Sequence, residues 1–158
     1  MREVNAPFTD KIKLPKVPKR RKRVFKKEHI KQLINQIELL KSKSPRFRTK
    51  AAVLLAATSG LRSTEVYRLT IDNIDVDRRI ILIKAEIAKD FEDRVAFFNL
   101  EAQQALKRYL EYFSPKTDKL FPKSNIRRAF KQLNTDLRLK HMRKFSASSQ
   151  IDWDYQPL

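Results

Sequence analysis

The fold is decided by the stretch Thr58-Ser59-Gly60-Leu61-Arg62-Ser63-Thr64-Glu65-Val66. It holds the single glycine of this 158-residue chain, between an apolar run and an arginine that precedes a second helical segment. Glycine adopts the left-handed backbone conformation at a helix end at a lower energetic cost than most residues. We therefore predict that Gly60 ends the helix of residues 51–58 and directs Arg62 towards an anion.

The charge of the chain indicates which kind of molecule carries that anion. Thirty-six Lys and Arg against 18 Asp and Glu give a formal net charge of +18, which is typical of proteins that bind nucleic acid. Double-stranded DNA is the leading partner. A membrane surface is the competing anionic target, but no run of 18 apolar residues exists and the basic residues do not gather on one amphipathic helix. We expect no membrane association.

The composition also excludes several other classes of site. The chain has no cysteine, which removes disulfides and thiolate metal sites, and it has two histidines. We predict no metal site and no cofactor. The N-terminal residues lack the apolar stretch of a signal peptide, so we expect a cytoplasmic, DNA-associated protein.

The chain divides into an arm and one packed domain. Residues 1–24 contain three prolines and the basic run Lys19-Arg20-Arg21-Lys22-Arg23. We interpret this arm as a strap along a DNA backbone, and the alternative is a solvated tail. Residues 25–158 have the apolar periodicity of a single domain.

Apolar spacing and turn residues predict an α+β fold that is mainly helical. We expect a helix from Lys26 to about Ser42, helices capped by Ser44, Asn99 and Ser124, a short helix over 63–69 and a last helix from about Lys140. Strands at 71–76, 79–84 and 94–98 with short connections predict one three-stranded antiparallel sheet. Its two connections are a turn at Asp77-Arg78 and a polar loop over 85–93. The predicted buried positions are Leu54, Leu55, Ile81, Ile83, Phe97, Leu106 and Phe130.

Three segments together resemble the catalytic domain of tyrosine recombinases, the phage integrase family. They are the stretch from Ser59 to Val66, the segment Lys89-Asp90-Phe91-Glu92-Asp93-Arg94-Val95, and Lys140-His141-Met142-Arg143-Lys144-Phe145. Their order along the chain is that of the family, and the resemblance covers residues 5–147. The lysine-rich composition, and Lys140 where many members have histidine, are similar to archaeal integrases.

The chemistry of strand transfer suits the two arginines of these segments. Displacing a phosphodiester oxygen builds negative charge on phosphorus-bound oxygens, which two guanidinium forks can stabilise without a metal ion. Arg62 and Arg143 are the candidates for this role. The alternative interpretation is that each is an ordinary surface or helix-cap arginine. They stand 81 residues apart (143 minus 62), so only the fold can bring them together.

The resemblance also assigns roles to neighbouring residues. It implies that Lys89 protonates the departing 5′ hydroxyl, with Lys84 as the alternative donor, and that Lys140 assists at the scissile phosphate. Glu65 could orient Arg62, or form only a surface ion pair. We interpret His141 as a helix-face residue and not as a ligand.

The nucleophile is the point at which the resemblance is incomplete. Family members attack phosphorus with a tyrosine that follows the second arginine after further helices. Here 15 residues follow Arg143, and two helices of ordinary length use about 22. Tyr155 comes too soon after Arg143, and we expect it to be a tail aromatic. The sequence therefore predicts a catalytic core that is incomplete at its C-terminus.

Three functions remain open at this stage. The first, which we favour, is a DNA-binding recombinase core that cannot cleave alone. The second is an enzyme whose tyrosine comes from a further copy or from a full-length recombinase. The third is a nucleic-acid-binding or regulatory module on the same scaffold, without chemistry.

Overall fold

The computed structural model describes residues 26–88, 92–113, 118–133 and 135–149. Within these ranges the chain forms helices, one 3-10 turn and three strands. In chain order they are α1 (Lys27–Glu38), α2 (Lys43–Ser59), α3 (Ser63–Val66), the 3-10 turn Ile71–Asn73, β1 (Ile74–Asp75), β2 (Ile80–Ile83), β3 (Arg94–Phe97), α4 (Leu100–Tyr112), α5 (Lys123–Gln132) and α6 (Leu139–Ser149). The mainly helical α+β class predicted from the sequence is confirmed.

Helix α2 lies at the centre of the core. Every residue from Ala51 to Ala57 is buried, so the helix is apolar on all sides over this stretch. Helices α1, α4, α5 and α6 all pack against it. The four alanines of the stretch allow neighbouring helices to approach closely, and α2 therefore fixes where the other helices lie.

Helix α2 ends as the sequence predicts. Gly60 follows its last residue in the left-handed conformation, with φ 69° and ψ 14°. Leu61 is then fully buried, which anchors the chain before Arg62. The glycine and the buried leucine together set the direction in which α3 begins.

Two helix boundaries predicted around residues 42–44 are wrong. Helix α1 ends at Glu38 instead of Ser42, because the N–H groups of Leu39 and Leu40 bond to carbonyl oxygens three residues back, at 3.2 and 3.1 Å. The Leu40 carbonyl oxygen is then bound by the Arg46 guanidinium through Nη2 at 2.6 Å and Nε at 3.0 Å. Helix α2 is preceded by Ser42 and not capped by Ser44. Pro45 thus lies in the first turn, where a missing backbone N–H costs nothing.

The antiparallel sheet has the strand order β1-β2-β3, as predicted. Ile81 pairs with Ile74 on one side and with Ala96 on the other. The first strand is shorter than predicted, because the Asn73 side-chain oxygen accepts hydrogen bonds from the Thr70 backbone N–H at 2.9 Å and hydroxyl at 2.8 Å. These bonds fold residues 71–73 into the 3-10 turn.

Burial is as predicted at six of the seven positions and wrong at Phe97. Phe97 is 65% exposed, and the neighbouring Phe98 is buried in its place. Side chains alternate between the two faces of a strand, so the two phenylalanines point to opposite faces and only one of them reaches the core. Phe97 shares the outer face with Val95, which is also exposed.

The last three helices follow the predicted pattern with one correction. The Asn99 side chain caps α4 by accepting a hydrogen bond from the Ala102 N–H at 2.9 Å. Helix α5 begins at Lys123 after Pro122 and is not capped by Ser124, because the Pro122 carbonyl accepts the first helical bond from Ile126 at 3.1 Å. None of the helices in the described ranges is long and apolar enough to cross a membrane.

Replacing Gly60 tests whether its backbone conformation limits stability. We expect Gly60→Ala to lower the free energy of unfolding by about 1–2 kcal/mol, because a Cβ clashes with the backbone at this positive φ. Asparagine tolerates the left-handed region, so Gly60→Asn should cost less. Urea denaturation of both variants makes the measurement, and equal losses would show that the conformation is not the cause.

Candidate functional site

Arg62 stands at the start of α3, immediately after the turn at Gly60. Its backbone is extended and its carbonyl oxygen accepts hydrogen bonds from the N–H groups of Glu65 and Val66, both at 3.0 Å. Its side chain is 23% exposed. Arg62 is therefore fixed at its backbone, while its side chain stays partly exposed.

Glu65 is fully buried and binds two arginines. Its Oε2 atom accepts a hydrogen bond from the Arg62 backbone N–H at 2.7 Å, and its Oε1 atom accepts one from Arg62 Nη1 at 3.3 Å. Arg94 Nη2 donates to Oε2 at 2.7 Å from the other side. A buried carboxylate is tolerated when cations and hydrogen bonds surround it, as they do here. Glu65 thus orients Arg62, and the weaker alternative of a surface ion pair is wrong because Glu65 has no exposed surface.

The contact with Arg94 joins the sheet to this site. Arg94 is the first residue of β3 and pairs with Ile83 of β2. The loop between these strands is closed at its base by a hydrogen bond of 2.6 Å from the Ala85 N–H to Asp93 Oδ1. Lys89 belongs to this loop but lies outside the described residues, and Lys84 is exposed at its start.

Helix α6 places the segment from Lys140 to Phe145, which contains Arg143, beside α3. It packs against both α2 and α3, with Leu139, Met142 and Phe145 buried. Lys140 and Arg143 are exposed, one helical turn apart. The elements that carry Arg62 and Arg143 are therefore neighbours, although the two residues are far apart in sequence.

Both histidines act at helix starts. His141 Nδ1 accepts a hydrogen bond from the Arg138 backbone N–H at 3.1 Å, and His29 Nδ1 accepts one from the Lys26 N–H at 2.9 Å. At the start of α3, the Glu65 side chain likewise accepts a hydrogen bond from the backbone N–H three residues earlier, that of Arg62. Among the described residues no group of His, Asp and Glu is arranged to hold a metal ion.

A basic surface that was not predicted from the sequence extends from this site. Between Lys119 and Lys144 the sequence has nine Lys and Arg and one Asp. All nine are exposed, and we call them the C-terminal basic surface: Lys119, Lys123, Arg127, Arg128, Lys131, Arg138, Lys140, Arg143 and Lys144. Helices α1 and α4 carry equal numbers of acidic and basic residues. The sequence of α5 contains the pattern that could have predicted this surface. Its apolar positions form one stripe, and every charged residue on the remaining face is basic.

Tyr67 directly follows the last residue of α3. Burial raises the pKa of its phenol above the ordinary value, and the positive charge of Arg127 partly offsets this rise. Arg127 is on the exposed side of α5, so the cation that acts on Tyr67 belongs to the C-terminal basic surface.

The predicted DNA-binding arm and the tail lie beyond the part of the chain that the structure describes. Residues Lys19, Arg20, Arg21, Lys22 and Arg23 are outside the described ranges, and so is Tyr155. Their assignments remain predictions.

The comparisons with known proteins agree with this arrangement. Residues 23–156 match the model of the phage integrase family. The match covers most of the chain, so the protein belongs to that family, and the resemblance predicted from its three motifs is confirmed.

Individual relatives are tyrosine recombinases and an integrase. Tyrosine recombinase XerA of Thermococcus kodakarensis is 30% identical over 119 residues, which are 75% of this chain and 40% of that protein. The fold resembles the crystal structure of XerA recombinase, with a TM-score of 0.62 and 22% identity over 86% of this chain and 52% of that one. It also resembles a variant of the Tn1549 transposon integrase in complex with circular intermediate DNA, with a TM-score of 0.62 and 16% identity over 84% and 54% of the two chains. The chain thus spans about half the length of the proteins that it matches.

Removal of Glu65 tests the buried contact. We expect Glu65→Ala to lower the free energy of unfolding by about 2 kcal/mol, because it removes charge-assisted hydrogen bonds to both arginines, which then regain only part of their hydration. The exposed Glu111 provides the control, and Glu111→Ala should change stability by less than about 0.5 kcal/mol. Urea denaturation compares the two, and a similar small effect for both would show that the Glu65 contacts contribute nothing.

Proposed function

We propose that this chain is the DNA-binding core of a site-specific recombinase, which cleaves and rejoins DNA strands through a phosphotyrosine. The observation that carries the proposal is the buried Glu65, which fixes Arg62 beside a broad basic surface. Such a surface attracts a polyanion, and a fixed guanidinium can stabilise one particular phosphate of it. The resemblance to a DNA-bound integrase supports the same conclusion.

The C-terminal basic surface is the proposed interface with double-stranded DNA. Its nine cations have one nearby acidic residue in sequence, so repulsion of phosphates is small. The charges on α5 and α6 lie on the exposed sides of two helices that both pack against α2. We propose that the arm with Lys19–Arg23 adds further backbone contacts, which strengthen binding without reading bases.

We propose catalytic roles for the cations of the three motifs. Arg62 and Arg143 hold the non-bridging oxygens of the scissile phosphate, and Lys140 adds charge one turn before Arg143 on α6. When a tyrosine oxygen attacks phosphorus, the bond from phosphorus to the 5′ oxygen breaks and that oxygen takes up a proton. We propose Lys89 as the proton donor, because its loop is attached through Arg94 to the carboxylate that orients Arg62.

The tyrosines of the described residues are poorly placed to act as the nucleophile. The buried Tyr109 donates its hydroxyl to the Leu120 carbonyl at 3.0 Å, and the Tyr112 ring is tilted by 50° against the Phe47 ring with 5.1 Å between their centroids. Phe47 precedes Gly60 by 13 residues, which corresponds to about 20 Å along α2.

Neither of the two remaining tyrosines is a better candidate. Because the pKa of Tyr67 is raised, a smaller fraction of its phenol is ionised to the phenolate at a given pH. Tyr155 follows Arg143 by only 12 residues.

Charge removal on α5 tests the interface. We expect the double variant Arg127→Ala/Arg128→Ala to weaken duplex binding and to reduce the slope of log affinity against log salt by up to about 2, one unit for each phosphate that is no longer neutralised. Fluorescence anisotropy at several salt concentrations gives both quantities for any duplex sequence.

The control for this experiment removes the same charge elsewhere. Lys31 lies on α1 and Lys41 follows it, and both are exposed. Lys31→Ala/Lys41→Ala lowers the net charge by the same two units but should leave the salt slope unchanged. Equal slopes for the two double variants would mean that overall charge, and not the C-terminal basic surface, governs binding.

Substitution of the arginines tests the chemistry. With a full-length recombinase of the family present, we expect covalent capture of nicked duplexes from a random-sequence library. Arg62→Ala or Arg143→Ala should reduce the capture about 100-fold or more, because each removes stabilisation of transition-state charge. Duplex affinity should stay within a few fold, since each variant removes one cation among many that bind phosphates. Denaturing gels measure capture, and sequencing of the captured DNA identifies the site.

The control variant is Arg78→Ala, because Arg78 is 80% exposed in the turn before β2 and should not affect capture. The chain alone should give no adduct. An adduct mapped by mass spectrometry to Tyr155 of the isolated chain would contradict the expectation that Tyr155 is not the nucleophile. Capture that is insensitive to Arg62 and Arg143 would instead favour a non-catalytic DNA-binding or regulatory role.

A further inference from the structure

Tyr67 is a half-buried residue whose ring is fixed at the end of α3. The ring packs against the hydrophobic core, and the backbone N–H donates to the Ser63 carbonyl oxygen at 3.1 Å. Val66 before it and Leu69 after it are fully buried. An aromatic side chain that the fold already holds in place loses little conformational entropy when it binds a partner.

The hydroxyl group of Tyr67 is not used inside the protein. It makes no hydrogen bond with any residue of the described ranges. Within the same ranges, its oxygen is also not one of the buried side-chain atoms that lack a hydrogen bond, so it reaches solvent. A tyrosine with a fixed ring and an exposed hydroxyl is suited to donate a hydrogen bond to an acceptor outside the protein.

The charges near this hydroxyl favour an anionic acceptor. Burial is the larger influence on the phenol and raises its pKa, so the group stays protonated and can donate, whereas the positive charge of Arg127 lowers the pKa. Helix α3 also packs against α6, which carries the exposed Lys140 and Arg143. Cations of the C-terminal basic surface are therefore close to Tyr67, and an anion that they attract can meet its hydroxyl.

We propose that Tyr67 donates its hydroxyl to a phosphate of the duplex on the C-terminal basic surface, beside the phosphate that Arg127 neutralises. The inference rests on the proposed DNA interface and deepens it, because it adds a neutral contact to the nine cations. A cation attracts phosphates from any direction, whereas an O–H group bonds only to an acceptor that lies along its own direction. Tyr67 therefore fixes where the DNA backbone lies relative to α3.

The salt dependence of duplex binding separates a neutral contact from a cationic one. We expect Tyr67→Phe to weaken binding about tenfold at every salt concentration, because a hydrogen bond to a charged acceptor is lost. The slope of log affinity against log salt should stay unchanged, since no cation that displaces counterions is removed. Arg127→Ala should instead reduce that slope by about 1. Fluorescence anisotropy with one labelled duplex measures both quantities.

Tyr112→Phe is the matched control, because it removes the same atom elsewhere. Tyr112 is exposed on α4, outside the C-terminal basic surface, so the loss of its hydroxyl should change neither the affinity nor the slope. Urea denaturation gives a second readout. The Tyr67 hydroxyl has no hydrogen bond to lose within the described protein, so Tyr67→Phe should leave the urea midpoint of unfolding unchanged, whereas a structural role would lower it.

The outcomes distinguish this inference from the proposed function. If Tyr67→Phe binds the duplex as tightly as Tyr112→Phe while Arg127→Ala reduces the slope, the role of Tyr67 is overturned and the proposed interface stands. A reduced slope or a lower urea midpoint in Tyr67→Phe also overturns it, because the hydroxyl would then act through the cations or the fold. If Arg127→Ala leaves the slope unchanged, the proposed interface fails at α5 and the inference fails with it.

Discussion

The burial of helix α2 is the constraint on which the rest of the structure depends. A helix that is apolar on every side must be covered on every side, and the other helices of the described chain lie where they provide that cover. The position of α6, and with it Arg143, follows from this requirement. So does the need for a glycine at the end of α2, because the chain must leave the core abruptly to reach the surface at Arg62.

The Glu65 contacts connect that helical core to the sheet. Without them the sheet would pack on the core only through apolar side chains such as Ile81 and Ile83. Apolar contacts of this kind determine which side chains are buried more strongly than they determine the angle between the sheet and the helices. Hydrogen bonds to a buried carboxylate depend on direction, so they fix the start of β3 relative to α3. The same interaction serves the fold and the site, which explains why a charged residue is kept in the interior.

The sequence allowed the local parts of this structure to be predicted and left the long-range parts open. Gly60 and the cap at Asn99 were correct because their causes lie within a few residues of each. The prediction that Phe97 is buried was wrong, because the composition of a strand does not determine which of two adjacent phenylalanines faces the core. The Arg94 contact with Glu65 joins residues 29 positions apart, and no periodicity predicts it. Within the candidate site, residue types were predictable, whereas the second arginine on Glu65 required the fold.

The uneven distribution of charge has a consequence for how quickly the protein would reach the DNA that we propose as its partner. Helices α1 and α4 carry no net charge, while the segment between Lys119 and Lys144 has a net charge of +8, nine cations less one anion. In the field of a duplex such a molecule experiences a torque as well as an attraction, which turns its basic side towards the DNA before contact. Electrostatic steering of this kind raises association rates by about 10- to 1,000-fold at low salt, and it weakens as the screening length falls to about 8 Å under physiological conditions. The asymmetry would therefore shorten the search for the proposed DNA partner, because fewer encounters would begin in the wrong orientation.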